Sequence, residues 1–287
     1  MTALPTPALQ QWLLDHELVN RVHVCDALDL CAMLPDQSVD MILADLPYGT
    51  TACSWDTVIP FAPMWDAFKR IIKPRGAIVL TASQPFTSAL VMSNPAWFRC
   101  EWVIRKPQGT GYLNANRQPM KNHEVAIVFA AGDHSYYPQM RVGKPYAATS
   151  GGVGGFVRDK SVGGYLTISD GGRYPLSVID TTWNTLHLHP TEKPIDVFEY
   201  LIKTYTQPGD LVFDPVVGSG TTAVAARNCK RAFFCGDQSA EYVAIARDRL
   251  RLPFEPRHVV RDNNVDDLPL FAGLAVTALP SENVDSE

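Results

Sequence analysis

Two short segments of the sequence combine residue types that could carry out chemistry, and the first is Asp45-Leu46-Pro47-Tyr48. It directly follows the apolar run VDMILA at 39–44, which is typical of a buried strand. In open α/β sheets, the loops at the carboxyl ends of strands hold the ligands. There, the Asp45 carboxylate and a backbone carbonyl can accept hydrogen bonds from one amine, while Tyr48 offers a flat face for stacking. The pattern indicates capture of an amine-bearing nucleobase, although such a segment is also found as an ordinary turn.

The second segment is FDPVVGSGTT at 213–222, which follows a short apolar run and opens an amphipathic stretch. Gly218 and Gly220 allow the backbone to approach a ligand closely, and the N-terminus of the following helix favours a carboxylate or phosphate. The segment is not a Walker A loop, because no Gly-Lys-Ser/Thr follows, and Ala223 breaks a strict G-x-G-x-x-G. About 15 residues further on, Asp237 ends another apolar run and is placed to accept hydrogen bonds from ribose hydroxyls. These features indicate an adenosine-containing cofactor, and a purely structural strand-to-helix turn is the alternative.

Short runs rich in β-branched residues alternate along the chain with amphipathic stretches, which is typical of a parallel α/β sheet. The predicted strands are 21–25, 39–44, 77–81, 98–105, 124–130, 211–213 and 231–235. The predicted helices are about 27–34, 60–72, 84–93, 195–206, 221–229 and 239–251. This order predicts an α/β fold with a doubly wound, mostly parallel sheet, in which both chemical segments follow the carboxyl ends of strands.

One stretch interrupts this alternation, since nine of the nineteen glycines fall between 141 and 172. We expect a long loop here, and a long loop inside a compact domain is usually either functional or disordered. Cationic and aromatic side chains are interleaved with the glycines: Arg141, Lys144, Arg158, Lys160, Arg173, Tyr146, Phe156, Tyr165 and Tyr174. This mixture is typical of an element that orders on a nucleic acid, whereas a flexible linker would explain only the glycines.

The composition bounds the class of protein. A chain of 287 residues that is 46% hydrophobic and 19% charged is not a mostly disordered one. No apolar run approaches the roughly 18 residues of a membrane span, and the N-terminal residues lack the pattern of a secretory signal, so we expect a cytoplasmic protein. The six cysteines form no C-x-x-C pair, so neither zinc nor a disulfide framework is expected, and we predict no metal site.

The net charge of −5 is unevenly distributed along the chain. Residues 254–287 hold seven acidic and two basic residues, whereas 99–174 hold ten Lys and Arg against five Asp and Glu. A basic middle with an acidic tail is compatible with a polyanionic partner. Charge alone fits an ordinary basic surface almost equally well.

Taken together, these motifs resemble those of the β-class S-adenosylmethionine-dependent DNA amino-methyltransferases, which methylate exocyclic nitrogens. That family places a D-P-P-Y segment before an F-D-P-x-x-G-S-G-T-T segment, and Asp45–Tyr48 precedes Phe213–Thr222 here. Asp26 stands at the family's G-D-A position. Further matching blocks cover most of 21–252 apart from the glycine-rich stretch: LPDQSVDMILADLPY, IIKPRGAIVL, EWVIRKPQG, NHEVAIVF, HPTEKPIDVFEYLIKTYTQPGDLVFDP and CGDQSAEYVAIARDRL.

The resemblance implies catalytic roles for the first segment. Asp45 and the carbonyl of Leu46 would each accept one hydrogen bond from the target amine, beside the rigid Pro47. Tyr48 would stack on a base swung out of the duplex, since the amine cannot be reached within the stack. Drawing both amine hydrogens into acceptors frees the nitrogen lone pair for attack on the sulfonium methyl group, so positioning and electrostatics carry the step.

The resemblance also implies binding residues. The methionine portion of S-adenosylmethionine would contact Asp214, Gly218, Ser219, Gly220, Thr221, Thr191 and Lys193. Asp237 would bind the ribose and Asp26 the adenine ring. The predicted contacts to double-stranded DNA are Arg105, Lys106, Arg141, Lys144, Arg158 and Lys160.

Three positions depart from the family pattern, and none of them removes a polar group that the chemistry requires. Leu46 replaces the first Pro of D-P-P-Y, which frees one φ angle but keeps the carbonyl. Cys25 replaces the Gly before the motif aspartate, and Val216 replaces a common Phe in the wall of the cofactor pocket. We therefore expect an active enzyme.

The overall prediction is methyl transfer from S-adenosylmethionine to adenine N6 in duplex DNA. Adenine follows from the leading Asp45, where the cytosine-N4 enzymes of the family more often carry Ser, but an Asp can also accept from a cytosine amine. Cytosine-N4 methylation is thus the nearest alternative, and a catalytically silent DNA-binding subunit or an RNA or small-molecule methyltransferase are others. We expect a homodimer, encoded by a bacterium or phage and associated with the nucleoid.

The predicted division of the chain has four parts. The catalytic half spans 1–131, an inserted target-recognition region spans 132–186, and the cofactor-binding half spans 187–262. An acidic tail at 263–287 is expected to be disordered.

Overall fold

A computed structural model describes residues 18–49, 56–149, 166–181 and 193–251. Within these ranges the strands, in chain order, are β1 (Arg21–Val24), β2 (Val39–Ala44), β3 (Ile72–Ala82), β4 (Phe98–Thr110), β5 (Lys121–Phe129), β6 (Arg141–Val142), β7 (Tyr146–Thr149), β8 (Leu166–Ser169), β9 (Gly172–Arg173), β10 (Val178–Asp180), β11 (Leu211–Asp214) and β12 (Ala232–Asp237). The α-helices are α1 (Ala27–Ala32), α2 (Phe61–Ile71), α3 (Phe86–Ser93), α4 (Ile195–Tyr205), α5 (Thr221–Asn228) and α6 (Ala240–Arg251).

Eight of these strands form one sheet in the order β1-β12-β11-β2-β3-β5-β4-β10. All neighbours pair in parallel except β5, which runs antiparallel to β3 on one side and β4 on the other. The carboxyl ends of β1, β12, β11, β2, β3 and β4 therefore share one edge of the sheet. The predicted mostly parallel sheet is confirmed.

Helices cover both faces of the sheet. Its central strands are therefore buried on both sides, and their side chains are apolar on both sides. In β2, Ile42 and Ala44 point into a core that contains residues of α1, α2 and α3, including Leu30, Phe68 and Leu90. Met41 and Leu43 point into the opposite core, built with α4, α5 and α6 through residues such as Val197, Ala223 and Val243. This is the doubly wound arrangement expected from the sequence.

The hairpin of β4 and β5 extends further than the sequence predicted. The expected strands ended at 105 and began at 124, but pairing continues to Thr110 opposite Lys121. The polar residues of this extension hid it from a hydrophobicity pattern. Its connection contains a turn of 3₁₀ helix at Tyr112–Asn114, where Tyr112 is 79% and Leu113 94% exposed.

The described flanks of the glycine-rich stretch, 141–149 and 166–172, contain short strands that the sequence did not predict. On its flanks, β6 pairs with β9 and β7 with β8, each antiparallel. The guanidinium of Arg173 lies 4.5 Å from the ring centre of Tyr146, which joins the two ribbons. Residues 150–165 lie outside the described ranges, as does the tail at 263–287, so the predicted domain boundaries stay predictions.

Along the parts of the chain that are described, no helix has the length and apolarity needed to cross a membrane. The same parts contain no group of three or more His, Cys, Asp or Glu side chains arranged to hold a metal ion.

Two glycines with similar backbone angles allow a matched test of the turn before α5. Gly220 has φ of +93°, and an added Cβ would lie 2.7 Å from the Cβ of Ala246. Gly209 has φ of +90° with nothing within 4 Å of such a Cβ. We expect Gly209→Ala to lower the free energy of unfolding by about 1–2 kcal/mol through backbone strain alone. Gly220→Ala should lose about 1–3 kcal/mol more through overpacking.

Urea denaturation of both variants and the wild type checks this prediction. Equal losses at the two positions would show that α6 moves aside at no cost, and would contradict close packing of α6 on the turn.

Candidate active site

Four of the predicted carboxylates come together at the carboxyl edge of the sheet. Asp214 ends β11 and Asp237 ends β12, while Asp26 directly precedes α1 and Asp45 directly follows β2. Because these strands are parallel neighbours, their loops open on the same side of the molecule. The fold thus assembles both chemical segments of the sequence into one site.

Both oxygens of the Asp45 carboxylate are engaged. The hydroxyl of Tyr48 donates to Asp45 Oδ1 over 2.6 Å, and the hydroxyl of Thr81 donates to the same oxygen. On the other side, Lys193 Nζ lies 3.0 Å from Asp45 Oδ2. Asp45 keeps 24% of its side chain exposed, so the carboxylate remains within reach of an incoming group.

The ring of Tyr48 is held in place from two directions. It stacks on Phe86, the first residue of α3, with ring centres 5.3 Å apart and planes 27° apart. Lys193 Nζ lies 5.7 Å from the centre of the Tyr48 ring. Burial and the nearby Asp45 charge raise the pKa of Tyr48 well above its usual range, so its hydroxyl stays a hydrogen-bond donor at neutral pH.

The Leu46 side chain explains how the loop tolerates the loss of the first proline. It is buried, with 3% exposure, in the core on the α1–α3 side of the sheet. Packing therefore fixes this position, where the family pattern has a ring that fixes φ.

Behind Asp45, a second carboxylate joins two lysines. Lys193 Nζ lies 2.9 Å from Glu124 Oε2, and Lys106 Nζ pairs with Glu124 Oε1. Burial of Glu124 favours its neutral form, but Lys193 and Lys106 outweigh this and lower the pKa of Glu124 to about 2. Burial likewise opposes charge on Lys193, yet Asp45, Tyr48 and Glu124 raise the pKa of Lys193 well above its usual range. Glu124 and Lys193 are therefore both charged at neutral pH.

Asp214 holds the glycine turn from its buried side. This side chain is 2% exposed, accepts a hydrogen bond from the Thr222 hydroxyl, and accepts a second from the Val216 amide at 3.0 Å. Arg249 of α6 donates to the Ser219 carbonyl at 2.9 Å and to its hydroxyl at 3.1 Å. The turn is therefore held by hydrogen bonds from within the chain.

The upper side of the turn fits an adenosine-containing cofactor. An added Cβ at Gly218 would meet nothing within 4 Å, which leaves room for a ligand against the backbone. Asp237 is half-exposed and accepts from the amides of Gly218 at 3.0 Å and Ser239 at 2.8 Å, and Asp26 is exposed with one oxygen on the Leu28 amide at 2.8 Å. Both carboxylates can accept further hydrogen bonds from hydroxyl or amino groups.

For two predicted residues the structure shows contacts that the resemblance did not imply. Lys193, expected at the methionine end of the cofactor, contacts Asp45 and Glu124. Lys106, expected at a phosphate, turns inward to Glu124 with a side chain only 16% exposed. The reason is strand alternation: Arg105 points the opposite way and pairs with Asp180 through both carboxylate oxygens.

The remaining predicted DNA contacts are only partly described. Arg141 donates to the Tyr174 carbonyl at 3.1 and 3.2 Å, and Lys144 is exposed on the connection between β6 and β7. Arg158, Lys160 and Thr191 lie outside the described ranges. Thr221 is buried at the first turn of α5, with 6% exposure.

Sequence reasoning missed Glu124, Thr81 and Arg249 as parts of the site. Glu124 carried a usable signal, since it begins the apolar run of β5 as a lone acid. Thr81 is the one hydroxyl in the apolar second half of β3, 0% exposed, and a buried hydroxyl requires a partner. The sequence did not indicate that Arg249 is part of the site, because basic residues recur along α6 and nothing sets this one apart.

The profile of the DNA methylase family N6_N4_Mtase matches residues 39–248, and the chain belongs to this family of S-adenosylmethionine-dependent DNA amino-methyltransferases. Among curated relatives, the Type II methyltransferase M.BglII of Bacillus subtilis is 27% identical over 264 residues, which cover 79% of this chain and 68% of that protein. The Type II methyltransferase M1.MboII of Moraxella bovis is 26% identical over 257 residues, which cover 78% of this chain and 94% of that protein.

Solved structures show the same fold. The M1.HpyAVI complex with S-adenosylmethionine has a TM-score of 0.53 at 22% identity, covering 80% of this chain and 98% of that chain. The cytosine-N4-specific PvuII DNA methyltransferase has a TM-score of 0.58 at 16% identity, covering 85% of this chain and 87% of that chain. The predictions of fold class, family and cofactor are confirmed.

The buried Asp214 makes stability depend on pH in a defined direction. Burial raises its pKa from 3.8 to about 7, although the Thr222 hydroxyl and the Val216 amide favour the charged form. Between those two values the folded protein is protonated here and the unfolded chain is not. This contribution to the free energy of unfolding therefore falls as the pH rises through that window. Asp214→Asn abolishes this titration. The free energy of unfolding of the variant, relative to that of the wild type, should therefore increase as the pH rises from about 5 to about 8, by a few kcal/mol at most.

Urea unfolding at both pH values measures this gain. The control is Asp248→Asn, at an exposed position of α6. Its free energy of unfolding relative to that of the wild type should be the same at both pH values. A constant difference for Asp214→Asn as well would contradict a protonated carboxyl beneath the turn.

Proposed function

We propose that the protein transfers a methyl group from S-adenosylmethionine to the N6 atom of adenine in duplex DNA. The observation that carries this proposal is the position of Asp45. It follows β2, the strand beside β11, so the amine acceptor and the glycine turn open side by side at one edge of the sheet. An acceptor for an amine next to a site for a methyl donor is the arrangement that amino-methylation requires.

The chain's own residues account for activation of the amine. Asp45 Oδ1 accepts one amine hydrogen and the Leu46 carbonyl accepts the other, which leaves the nitrogen lone pair free. S-adenosylmethionine, when bound, supplies an electrophilic methyl group. Because Tyr48 and the amine compete for Asp45 Oδ1, the Tyr48 hydroxyl must move away before the base is seated. The ring of Tyr48 then stacks on the base, and the surplus proton leaves after the transfer.

The target base must leave the duplex to reach this position. Asp45 is only 24% exposed and lies beside the stacked rings of Tyr48 and Phe86, so an amine inside a stacked helix cannot approach it. We place the DNA on the carboxyl edge of the sheet, where the long β4–β5 hairpin projects. The β5 strand of this hairpin is held beside the site, because Lys121 at its start donates a hydrogen bond to Ser83, just after β3.

The adenine assignment rests on the resemblance, in which the segment begins with Asp45. Physical chemistry alone does not separate adenine from cytosine, since both present an amine with two hydrogens. Cytosine-N4 methylation is the alternative outcome of the test below. We further propose a homodimer that acts on the nucleoid in the cytoplasm of a bacterium.

The first test incubates the purified protein with unmethylated duplex DNA and isotope-labelled S-adenosylmethionine, and identifies labelled nucleosides by mass spectrometry. We expect label in N6-methyldeoxyadenosine. Asp45→Ala should lower the rate at least about 100-fold, because it removes the acceptor that activates the amine. Asp248→Ala, which removes an exposed carboxylate on α6, should leave the rate unchanged.

The outcomes separate the candidates. Label in N4-methyldeoxycytidine would keep the mechanism and reject adenine. Equal rates for Asp45→Ala and the wild type would reject the proposed chemistry. No label from the wild type on DNA of many sequences, with the cofactor bound, would favour the silent DNA-binding subunit, and label in RNA alone would favour an RNA enzyme.

The exposed tip of the β4–β5 hairpin gives a second test, directed at base extrusion. Apolar side chains inserted between base steps help to open a duplex, and Tyr112 and Leu113 are the exposed apolar pair at this edge. We expect Tyr112→Ala with Leu113→Ala to slow methylation of a paired duplex by about tenfold. The loss should shrink to about twofold when the target base faces an abasic site, because no pairing then resists extrusion.

The matched control is Met92→Ala, which removes another exposed apolar side chain, 71% exposed, at the end of α3. It should methylate both duplexes at the wild-type rate. An equal loss on paired and abasic duplexes for the hairpin variant would contradict a role of the tip in extrusion.

A further inference from the structure

Four charges of alternating sign form a line that ends at Asp45. Lys106 contacts Glu124, Glu124 contacts Lys193 at 2.9 Å, and Lys193 contacts Asp45 at 3.0 Å. The exposed fractions of these side chains are 16%, 13%, 8% and 24% in that order. We call this group the charge line.

A gain in folding stability does not explain the charge line. Removing ions of this kind from water costs several kcal/mol each, and apolar side chains of similar volume are often as stable or more so. Its four members come from four separate places in the fold, with Lys106 on β4, Glu124 on β5, Lys193 just before α4 and Asp45 just after β2. Such a group does, however, fix the orientation of whatever carboxylate stands at its end.

We infer that Glu124 and Lys193 are positioning residues that hold Asp45 Oδ2 so that Asp45 Oδ1 faces the target amine. This inference rests on the proposed function. With Oδ2 on Lys193 and one lone pair of Oδ1 on Thr81, the carboxylate cannot rotate without losing a contact. The remaining lone pair of Oδ1, which the Tyr48 hydroxyl holds, is the one that the amine takes.

Each outer member holds the next one in place. Lys193 is a flexible side chain, and Glu124 gives its ammonium group a second carboxylate contact besides Asp45. Lys106 in turn occupies the second oxygen of Glu124. Lys193 therefore acts on Asp45, a role that the resemblance did not imply.

The test compares Lys193→Met and Glu124→Gln with the wild type by kcat at saturating substrates and by the dissociation constant for S-adenosylmethionine. We expect kcat to fall about 10- to 100-fold in each, the range for residues that orient a functional group. The dissociation constant should stay within about twofold, because the charged groups of Lys193 and Glu124 are already engaged with each other, with Asp45 and with Lys106. Glu124→Asp, which keeps the charge, should retain far more of the wild-type kcat than Glu124→Gln.

Lys73→Met is the matched control, because it breaks an ion pair of similar exposure, Lys73 with Asp40, at 25% and 18%. It should keep the wild-type kcat even where its stability is lowered. A Lys193→Met variant with unchanged kcat, or with weakened cofactor binding as its main defect, would overturn the inference. A loss of kcat in Lys73→Met equal to that in the site variants would overturn it as well.

Crystal structures of the wild type and Glu124→Gln give a readout that does not need activity. In the variant we expect Lys193 to leave Asp45 and the Asp45 carboxylate to rotate, and an unchanged Asp45 would overturn the inference. If the wild type methylates no nucleic acid, the proposed function fails, but this structural comparison still decides whether Glu124 orients Asp45. If Lys193→Met does not fold, Glu124→Gln, which keeps the shape of the side chain, carries the test.

Discussion

The parallel register between β2 and β11 is the constraint on which the site depends. Met41 pairs with Val212 and Ile42 with Phe213, so Asp214 lies opposite Leu43 and Asp45 stands two residues further along the neighbouring strand. Neighbouring strands lie about 4.8 Å apart, which sets the spacing of the two loops. A slip of one residue would turn the apolar side chains of β2 to the wrong faces, so burial on both sides fixes this register. The chemistry at the edge follows from packing in the interior.

This arrangement gathers carboxylates that repel one another, and the fold treats each of them differently. Asp45 faces the ammonium group of Lys193. Asp237 accepts two backbone amides and stays in contact with water. Asp214 is buried, and no cation of the described residues pairs with it, so burial raises its pKa to about 7. Three neighbouring strands can thus end in acids because each acid has its own means of compensation.

The parts of the structure that the sequence predicted are those that depend on local patterns. The alternation of apolar and amphipathic stretches predicted the sheet and its two faces, and the two motifs predicted the residues at its edge. The contact of Lys193 with Glu124 joins residues far apart in the chain, and which way each side chain turns depends on the folded neighbours. The strand β10 is only three residues long and has no periodicity to detect. Strand alternation alone indicated that Lys106 and Arg105 point to opposite faces, but not which of them turns inward.

The hydrogen bond from Tyr48 to Asp45 has a consequence for the end of the catalytic cycle. An amine brings two hydrogens to the two acceptors of the loop, but a methylated amine retains only one. The product can then satisfy Asp45 or the Leu46 carbonyl, and the acceptor left over is short of a donor. The Tyr48 hydroxyl, which already bonds Asp45 at 2.6 Å without a base, is ready to return to that oxygen. On the proposed function, the same contact that yields to an unmodified base would help to expel the methylated one and discourage a second methylation.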